Sequence, residues 1–281
     1  MLHSRYLLLN PRYYDLMSIK NASEITAENG LYAIKQPHLK QPDNWALRLI
    51  DLQQRADIYC QMQEWIKDKN ISRDLFCGWL TTDTAPEIIK IHIEQQLVQF
   101  TQDRRRMLLR YFDPRVFDQL IYILDDTQCY ALMGPIKKWS FLDANHHIQN
   151  IERPSFKSGQ TTIRTDQWQA IFQCEEIDRI RDAWKIICKD KVLPIDHYHR
   201  ITTWIRIADT YKIKDMTDYT AFVLLGLYKG WRFDQTKVFN NLFSHHKKTG
   251  LPLITIFSEM TASNWNLLDQ QGYQEPIDYA L

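Results

Sequence analysis

Three histidine-rich stretches are the first candidates for chemistry in this sequence, because imidazole nitrogens commonly bind zinc and other transition metals. They are His146-His147, His197-Tyr198-His199 and His245-His246. The spacing of His197 and His199 suits a strand, but Pro194 and the apolar period after it predict a helix start, where the two rings point roughly 200° apart. We therefore expect solvated or locally hydrogen-bonded histidines and no metal site. A metal-dependent hydrolase that uses these clusters is the alternative function.

Paired carboxylates, which often carry acid–base catalysis, give no better candidate. Glu175-Glu176 and Asp125-Asp126 are adjacent in sequence, and neighbours on a helix point about 100° apart. The glycine-rich phosphate loops, the GxSxG nucleophile elbow and the HExxH zinc motif do not occur in the sequence. The absence of these motifs is compatible with a protein that is not an enzyme and that needs no cofactor.

The net charge and the apolar runs of the chain argue against nucleic acid and the lipid bilayer as partners. With 35 basic and 34 acidic residues among 281, the chain has a formal net charge of +1 and no global field that would attract nucleic acid. No apolar run approaches the roughly 18 residues that span a bilayer, so stable membrane insertion is not expected.

The five cysteines are scattered and never in CxxC spacing, and the N-terminus lacks a signal-peptide pattern. A cytoplasmic protein with reduced thiols is predicted.

The secondary structure that the sequence predicts, and that must position any site, differs between the two parts of the chain. Residues 1–150 contain short apolar runs typical of strands, with helical patterns at about Leu52–Lys69 and after Ala85-Pro86. These runs are Tyr6–Leu9, Leu31–Ile34, Trp45–Ile50, Leu75–Leu80 and Met107–Phe112. The alternation predicts a mixed β-sheet covered by helices in an N-terminal α/β domain.

The rest of the chain has a purely helical pattern. Residues 151–164 belong to a polar stretch without a period and are predicted to link the two domains. Residues 165–281 are predicted to form an all-helical lobe, in which the segment AFVLLGLY from Ala221 is apolar all round and therefore central. The predicted fold class is α+β.

The stretch LLRYFDPRVFDQL at residues 108–120 combines a helix start with two arginines. Asp113 suits an N-cap, and Pro114 suits the first helical position. Arg115 lies in the first turn, where a cation loses roughly 0.3–1 kcal/mol against the helix dipole. Arg110 and Arg115 are therefore expected either to form an internal ion-pair network or to receive an acidic group of a bound partner.

Four aromatic residues in the helical lobe are candidates for partner contact, because large rings at a helix end are hard to bury completely. They are Trp204, Tyr228, Trp231 and Phe233. The alternative is that these rings pack between helices.

Motifs in the central 60 residues resemble those of a family, once catalogued only as a domain of unknown function, of adaptor chaperones for type VI secretion effectors. The resemblance is carried by LLRYFDPR at Leu108–Arg115 and by Met133-Gly134-Pro135-Ile136 followed by Trp139. Within it, Asp113, Pro114, Gly134, Pro135 and Trp139 are the expected structural motif residues. The opening YLLLN and the helical tail also fit the family's layout.

Two positions depart from the family's usual pattern. Asn10 ends the first strand where the family usually has Asp, and Asp43-Asn44 precede Trp45 where Gly-Pro is common. The resemblance implies a cytoplasmic, non-enzymatic loading factor that serves bacterial competition. Its implied partners are the N-terminal region of a cognate effector, often a transmembrane or PAAR-containing segment, and the VgrG spike protein onto which the effector is loaded.

Overall fold

The computed structural model describes residues 5–10, 27–35, 46–68, 75–143, 145–155, 162–188, 191–193 and 196–272. Its contacts divide the chain into two compact units, Met1–Glu175 and Glu176–Leu281. The first unit contains a β-sheet with helices and the second is helical, so the predicted α+β class is confirmed. The expected helix start at Pro194 and the residue Trp45 lie outside the described residues.

The first unit is built on a six-stranded sheet in the order β2-β3-β1-β4-β7-β8, and a separate hairpin pairs β5 with β6. Each described strand pairing is antiparallel. The strands are β1 (Tyr6–Leu9), β2 (Leu31–Ile34), β3 (Leu47–Asp51), β4 (Phe76–Thr81), β5 (Val98–Phe100), β6 (Arg106–Leu108), β7 (Lys138–Leu142) and β8 (Ile148–Glu152).

Both faces of the sheet are buried, which explains why its central strands read as continuous apolar runs. In β1, Tyr6 and Leu8 point into one core, whereas Leu7 and Leu9 point into the other. This alternation follows from the two-residue period of a strand. The helices of this unit are α1 (Ala56–Trp65), α2 (Pro86–Gln96), α3 (Pro114–Ile123), α4 (Asp126–Met133) and α5 (Thr165–Phe172).

Helix α5 packs within the first unit, although residues 165–281 are expected from the sequence to form one lobe. Trp168 of α5 lies in the same core as Phe117 of α3. Gln167 and Gln128 also exchange two amide hydrogen bonds, of 2.9 and 2.7 Å between their side-chain oxygen and nitrogen atoms. These buried contacts place the division after Glu175, whereas the expected link was 151–164.

The second unit contains six α-helices and a short 3₁₀ helix (Phe233–Gln235) among its described residues. The α-helices are α6 (Cys174–Ile187), α7 (His197–Tyr211), α8 (Met216–Lys229), α9 (Lys237–Thr249), α10 (Leu253–Ser258) and α11 (Ala262–Gly272). Helix α8 buries Phe222, Val223 and Leu227 and is central to the unit, as its apolar composition predicts. Within the described part of the chain, no helix combines the length and apolar content that crossing a bilayer requires.

Candidate functional site

The second unit contains an apolar groove of about 810 Å³. Its walls come from α6, α8, α10 and α11, together with Lys191, which follows α6. Three large apolar side chains along it remain partly open to solvent: Tyr228 is 49% exposed, Met216 46% and Ile254 44%. Since a large apolar cleft with a few polar side chains is the usual form of a binding site, we take this groove as the candidate functional site.

Helix α8 forms the floor of the groove through residues three or four positions apart. Thr217, Ala221, Leu224 and Tyr228 therefore lie along one face of the helix. Its start is fixed by the Asp215 carboxylate, which accepts hydrogen bonds from the backbone N–H groups of residues 217 and 218 at 2.9 and 3.0 Å. This cap fixes the first residue of α8 and therefore the positions of the side chains that α8 contributes to the groove.

The opposite face of α8 is packed against a buried aromatic cluster. Trp204 stacks on Phe233 with 5.1 Å between ring centroids, and both residues are 0% exposed. Gly226 allows the close approach, because a Cβ atom at this position would lie 2.1 Å from the Trp204 ring. Trp204 and Phe233 are expected from the sequence to contact a partner, but their burial makes them core residues of the second unit.

Tyr228 is the one of the four candidate aromatic residues that lines the groove. The Lys191 ammonium lies 3.5 Å from the centroid of its ring, which is a cation–π contact. The Lys191 backbone is held by two hydrogen bonds, because its carbonyl accepts from the Trp184 indole at 2.9 Å and its N–H donates to the Cys188 carbonyl at 2.8 Å. The groove therefore has a positioned cation at its rim.

Trp231 is half-buried in the second unit and packs on the end of α11. A Cβ atom added at Gly272 would lie 1.5 Å from the Trp231 ring, so the ring occupies the space that the glycine leaves open. Trp231 is expected from the sequence to bind a partner, whereas this contact gives it a packing role.

The corner before α3 is a turn rather than the end of a long strand. Strand β6 ends at Leu108, and the Asp113 N–H donates to the Arg110 carbonyl at 2.9 Å, which closes the turn. The buried Asp113 carboxylate accepts side-chain hydrogen bonds from Arg110 and Arg115, and Pro114 occupies the first helical position. Of the two expectations for these arginines, the internal ion-pair network is the one that these contacts favour.

The electrostatics of this corner stabilise the ionised form of Asp113. Burial alone would raise the pKa of its carboxyl, but the hydrogen bond and charge of Arg115, with the charge of Arg110, outweigh burial and hold the pKa below its ordinary value. Both arginines thus compensate a buried negative charge of their own chain.

The remaining motif residues have structural contacts in the first unit. Gly134 has a φ of +52°, and a Cβ atom there would lie 2.1 Å from the His92 ring. The Pro135 carbonyl accepts a hydrogen bond from the Thr82 hydroxyl at 2.8 Å. Trp139 is fully buried and donates its indole N–H to the Cys77 carbonyl at 3.1 Å. The MGPI segment and Trp139 therefore fix the sheet to its covering helices.

Two histidines of the helical unit, His197 and His246, form side-chain hydrogen bonds. The His197 Nε2 atom lies 2.7 Å from the Arg181 guanidinium and must accept, because arginine only donates. His246 Nδ1 donates to the Leu251 carbonyl at 2.7 Å. Across the described residues, no group of three His, Cys, Asp or Glu side chains is placed to hold a metal ion.

Several groove residues were not identifiable as functional from the sequence. Thr217, Ala221, Ile254 and Trp265 line the groove, yet none belongs to a motif. Because α8 is apolar all round, its groove face and its core face have the same sequence character.

Comparisons of the chain with family models, with curated proteins and with solved structures find no match to any of the three.

Proposed function

We propose that this protein is a cytoplasmic, non-enzymatic adaptor chaperone of a type VI secretion system. It binds the N-terminal region of a cognate effector and helps to load that effector onto the VgrG spike protein. The observation that carries the proposal is the open apolar groove of the second unit. The LLRYFDPR and MGPI motifs that suggest the family support it from the sequence.

The groove suits a polypeptide better than a small substrate. Pockets for small molecules bury about 70–90% of their ligand, whereas Met216, Tyr228 and Ile254 leave this groove open along its length. A groove with a fixed apolar floor is typical of sites that receive the apolar face of a peptide segment. A chaperone function needs this kind of surface, because an apolar effector segment must be shielded from water before it is loaded.

Co-expression tests the proposal directly. The full chain, tagged, is expressed with the protein encoded beside it, and the two are purified together and analysed by size-exclusion chromatography. We expect a stable complex with the wild-type chain. The substitution Ala221→Trp, which fills the groove floor, should abolish the complex.

Asn241→Trp is the matched control, because Asn241 is exposed on α9 and is not part of the groove lining. It should leave the complex intact. Addition of purified VgrG should then give a ternary complex. Two results would overturn the proposal. In the first, the wild-type chain does not bind the protein encoded beside it. In the second, the Ala221→Trp variant, at an unchanged melting temperature, binds that protein as well as the wild type does.

A further inference from the structure

We infer that the outer edge of β8 pairs with the same edge of a second copy of this chain, so that two six-stranded sheets join into one. The edge lies in the first unit, and the inference does not rest on the function proposed for the groove. The partner that fits this edge is a second copy, because the edge is complementary to itself in length, in register and in charge.

Strand β8 ends the sheet on one side, and its residues alternately turn their backbone groups towards β7 and away from it. The Asp143 N–H donates to the His147 carbonyl and the Arg153 N–H to the Lys137 carbonyl, each at 2.9 Å. The register between these two bonds is regular, so the odd-numbered residues of β8 bond to β7 and the even-numbered ones face outward. The outward-facing residues are Ile148, Asn150 and Glu152.

The two outer strands of the sheet differ in exposure. Strand β2 is largely buried, and the Lys35 N–H that follows it donates to the Glu94 carboxylate of α2 at 2.8 Å. In β8, by contrast, Gln149, Asn150 and Glu152 are exposed. Among the described residues, none bonds to the backbone groups on the outer side of β8. Open N–H and C=O groups of this kind are a template for pairing with another chain.

Two residues limit the open edge to three outward-facing positions. His146, before β8, has a φ of +59°, which lies in the left-handed region and ends the extended backbone. Pro154, after β8, has no N–H to donate. Each of the two lies four positions from Asn150. The open edge is therefore centred at Asn150.

A two-fold axis at Asn150 gives the register that uses the whole open edge. Two antiparallel copies then pair Asn150 of one with Asn150 of the other, and Ile148 of each with Glu152 of the other. Each of these three pairs exchanges two backbone hydrogen bonds. A shift by two residues would lose one of the pairs. The symmetric register therefore satisfies all the outward-facing backbone groups of β8.

The side chains at this junction are compatible with the symmetric register. Glu152, the one charged residue of β8, lies opposite Ile148 and not opposite a second carboxylate, which would be destabilising. Ile148 and Ile151 are half-buried against the two cores of the sheet, and the added strand would cover them further. The Asn150 side-chain oxygen accepts from the Ser140 hydroxyl at 2.7 Å, and its amide N–H groups can donate to the other copy.

The junction is small, so the dimer should be weak. It involves five residues of each copy, whereas a standard interface buries about 800 Å² per partner. We therefore expect a monomer–dimer equilibrium that dilution reverses. Sedimentation velocity of the full chain, from near-millimolar to low-micromolar concentration, should show a fraction of dimer that rises with concentration.

Asn150→Pro tests the edge without removing a hydrogen bond between β7 and β8. The Asn150 N–H faces outward, and proline is tolerated on an edge strand at such a position. The variant should weaken dimerisation at least about tenfold, because each copy loses a backbone donor at the centre of the junction. Asn150→Ala is the matched control, because it loses the same side chain but keeps the N–H. It should dimerise nearly as the wild type does.

Two variants of Ile148 test the register independently of Asn150→Pro. In the symmetric register, Ile148→Lys places a lysine opposite Glu152 of the other copy, and Ile148→Glu places a second carboxylate there. Both variants lose the same half-buried isoleucine, so the difference between them reports the cross-strand pair. This pair occurs twice in the dimer. We therefore expect the dissociation constant of Ile148→Glu to exceed that of Ile148→Lys about tenfold.

Circular dichroism and melting temperature check that each variant is folded. Three results would overturn the inference: a wild-type chain that is monomeric at all concentrations, equal dimerisation of Asn150→Pro and Asn150→Ala, or equal dissociation constants for the two Ile148 variants. A monomeric wild type whose complex with the protein encoded beside it is lost in Asn150→Pro would also overturn it, because the edge would then bind an extended segment of another protein. Ala221→Trp should leave the dimer unchanged, so the dimer and the function proposed for the groove are tested separately.

Discussion

The carboxylate of Asp113 accepts two parallel hydrogen bonds from the guanidinium of Arg115, from Nε to Oδ1 at 2.9 Å and from Nη2 to Oδ2 at 2.7 Å. The same carboxylate caps α3 by accepting the Arg115 backbone N–H at 3.0 Å. Arg110 adds a third side-chain donor at 2.8 Å. A cation in the first turn of a helix is unfavourable by itself, and this bidentate pair supplies the compensating negative charge.

Removal of the Asp113 carboxylate should destabilise the first unit. We expect Asp113→Ala to lower the free energy of unfolding by more than the ~1 kcal/mol of a lost N-cap, because two arginines also lose their partner. The pKa of Asp113 is lowered in the folded state. Its stabilisation is therefore present above the ordinary value of 3.8 and lost as the pH falls through the folded-state pKa. Urea titrations at pH 7 and at pH 3 measure both effects, and Asp113→Asn with the stability and pH response of the wild type would contradict the assignment.

Substitution of Arg115 separates the two roles that the sequence leaves open. Arg115→Ala deprives a buried carboxylate of its bidentate partner, so we expect a lower melting temperature and an unchanged affinity for the partner protein. Arg115→Lys keeps the charge but not the two parallel hydrogen bonds and should be intermediate. An unchanged melting temperature together with lost partner binding would instead assign Arg115 to partner recognition.

Protonation of His92 should destabilise the protein in mild acid. Burial lowers the pKa of His92 below its ordinary value of 6.5, against the hydrogen bond to the Leu132 carbonyl, which raises it. The unfolded chain therefore binds a proton before the folded protein does, and stability falls as the pH drops below 6.5 towards the folded-state pKa. The slope approaches about 1.4 kcal/mol per pH unit for one proton.

Urea unfolding at pH 7.5 and at pH 5.5 measures this dependence, in a range where most carboxylates stay ionised. His92→Gln retains a donor for the Leu132 carbonyl but does not titrate. It should therefore show a smaller loss of stability between the two pH values than the wild type. Equal losses in the two proteins would assign the pH dependence to other groups.

Local signals in the sequence are sufficient to predict some helices and strands. The Asp113-Pro114 pair predicts the start of α3 because cap chemistry and the proline ring act within a few residues. The four buried residues of β1 read as a strand because both faces of the sheet are covered. These predictions needed no knowledge of distant contacts.

Other features depend on contacts that the local pattern does not encode. The run to Phe112 alternates like a strand, yet β6 ends at Leu108, and the Asp113 N–H bonds back to Arg110. The apolar period from Trp168 to Cys188 is continuous, yet α5 and α6 separate at Gln173 without a glycine or proline. Likewise, nothing in the sequence separates Trp204 and Phe233, which fill the core of the second unit, from Tyr228, which lines the groove.

Substitution of Gly226 tests the packing behind the groove. Gly226→Ala would place a Cβ atom 2.1 Å from the Trp204 ring, so we expect a loss of about 1–3 kcal/mol in the free energy of unfolding. Trp204→Leu removes the clashing ring. In the Trp204→Leu background, Gly226→Ala should therefore lower the free energy of unfolding by less than it does in the wild type. A double-mutant cycle by urea unfolding measures this coupling. Additive effects in the cycle would show that the side chain at position 226 and the Trp204 ring do not interact.

Substitution of Trp231 distinguishes packing from partner contact at the end of α8. The Trp231 ring fills the space above Gly272, so we expect Trp231→Ala to lower the free energy of unfolding by about 1–3 kcal/mol. Tyr228→Ala is the matched control, because this half-exposed ring lines the groove. It should leave the melting temperature nearly unchanged while weakening partner binding. Thermal unfolding and co-purification of both variants provide the comparison. If Trp231→Ala instead keeps the wild-type melting temperature and loses the partner, its ring belongs to the binding surface, because a packing role cannot be removed without a loss of stability.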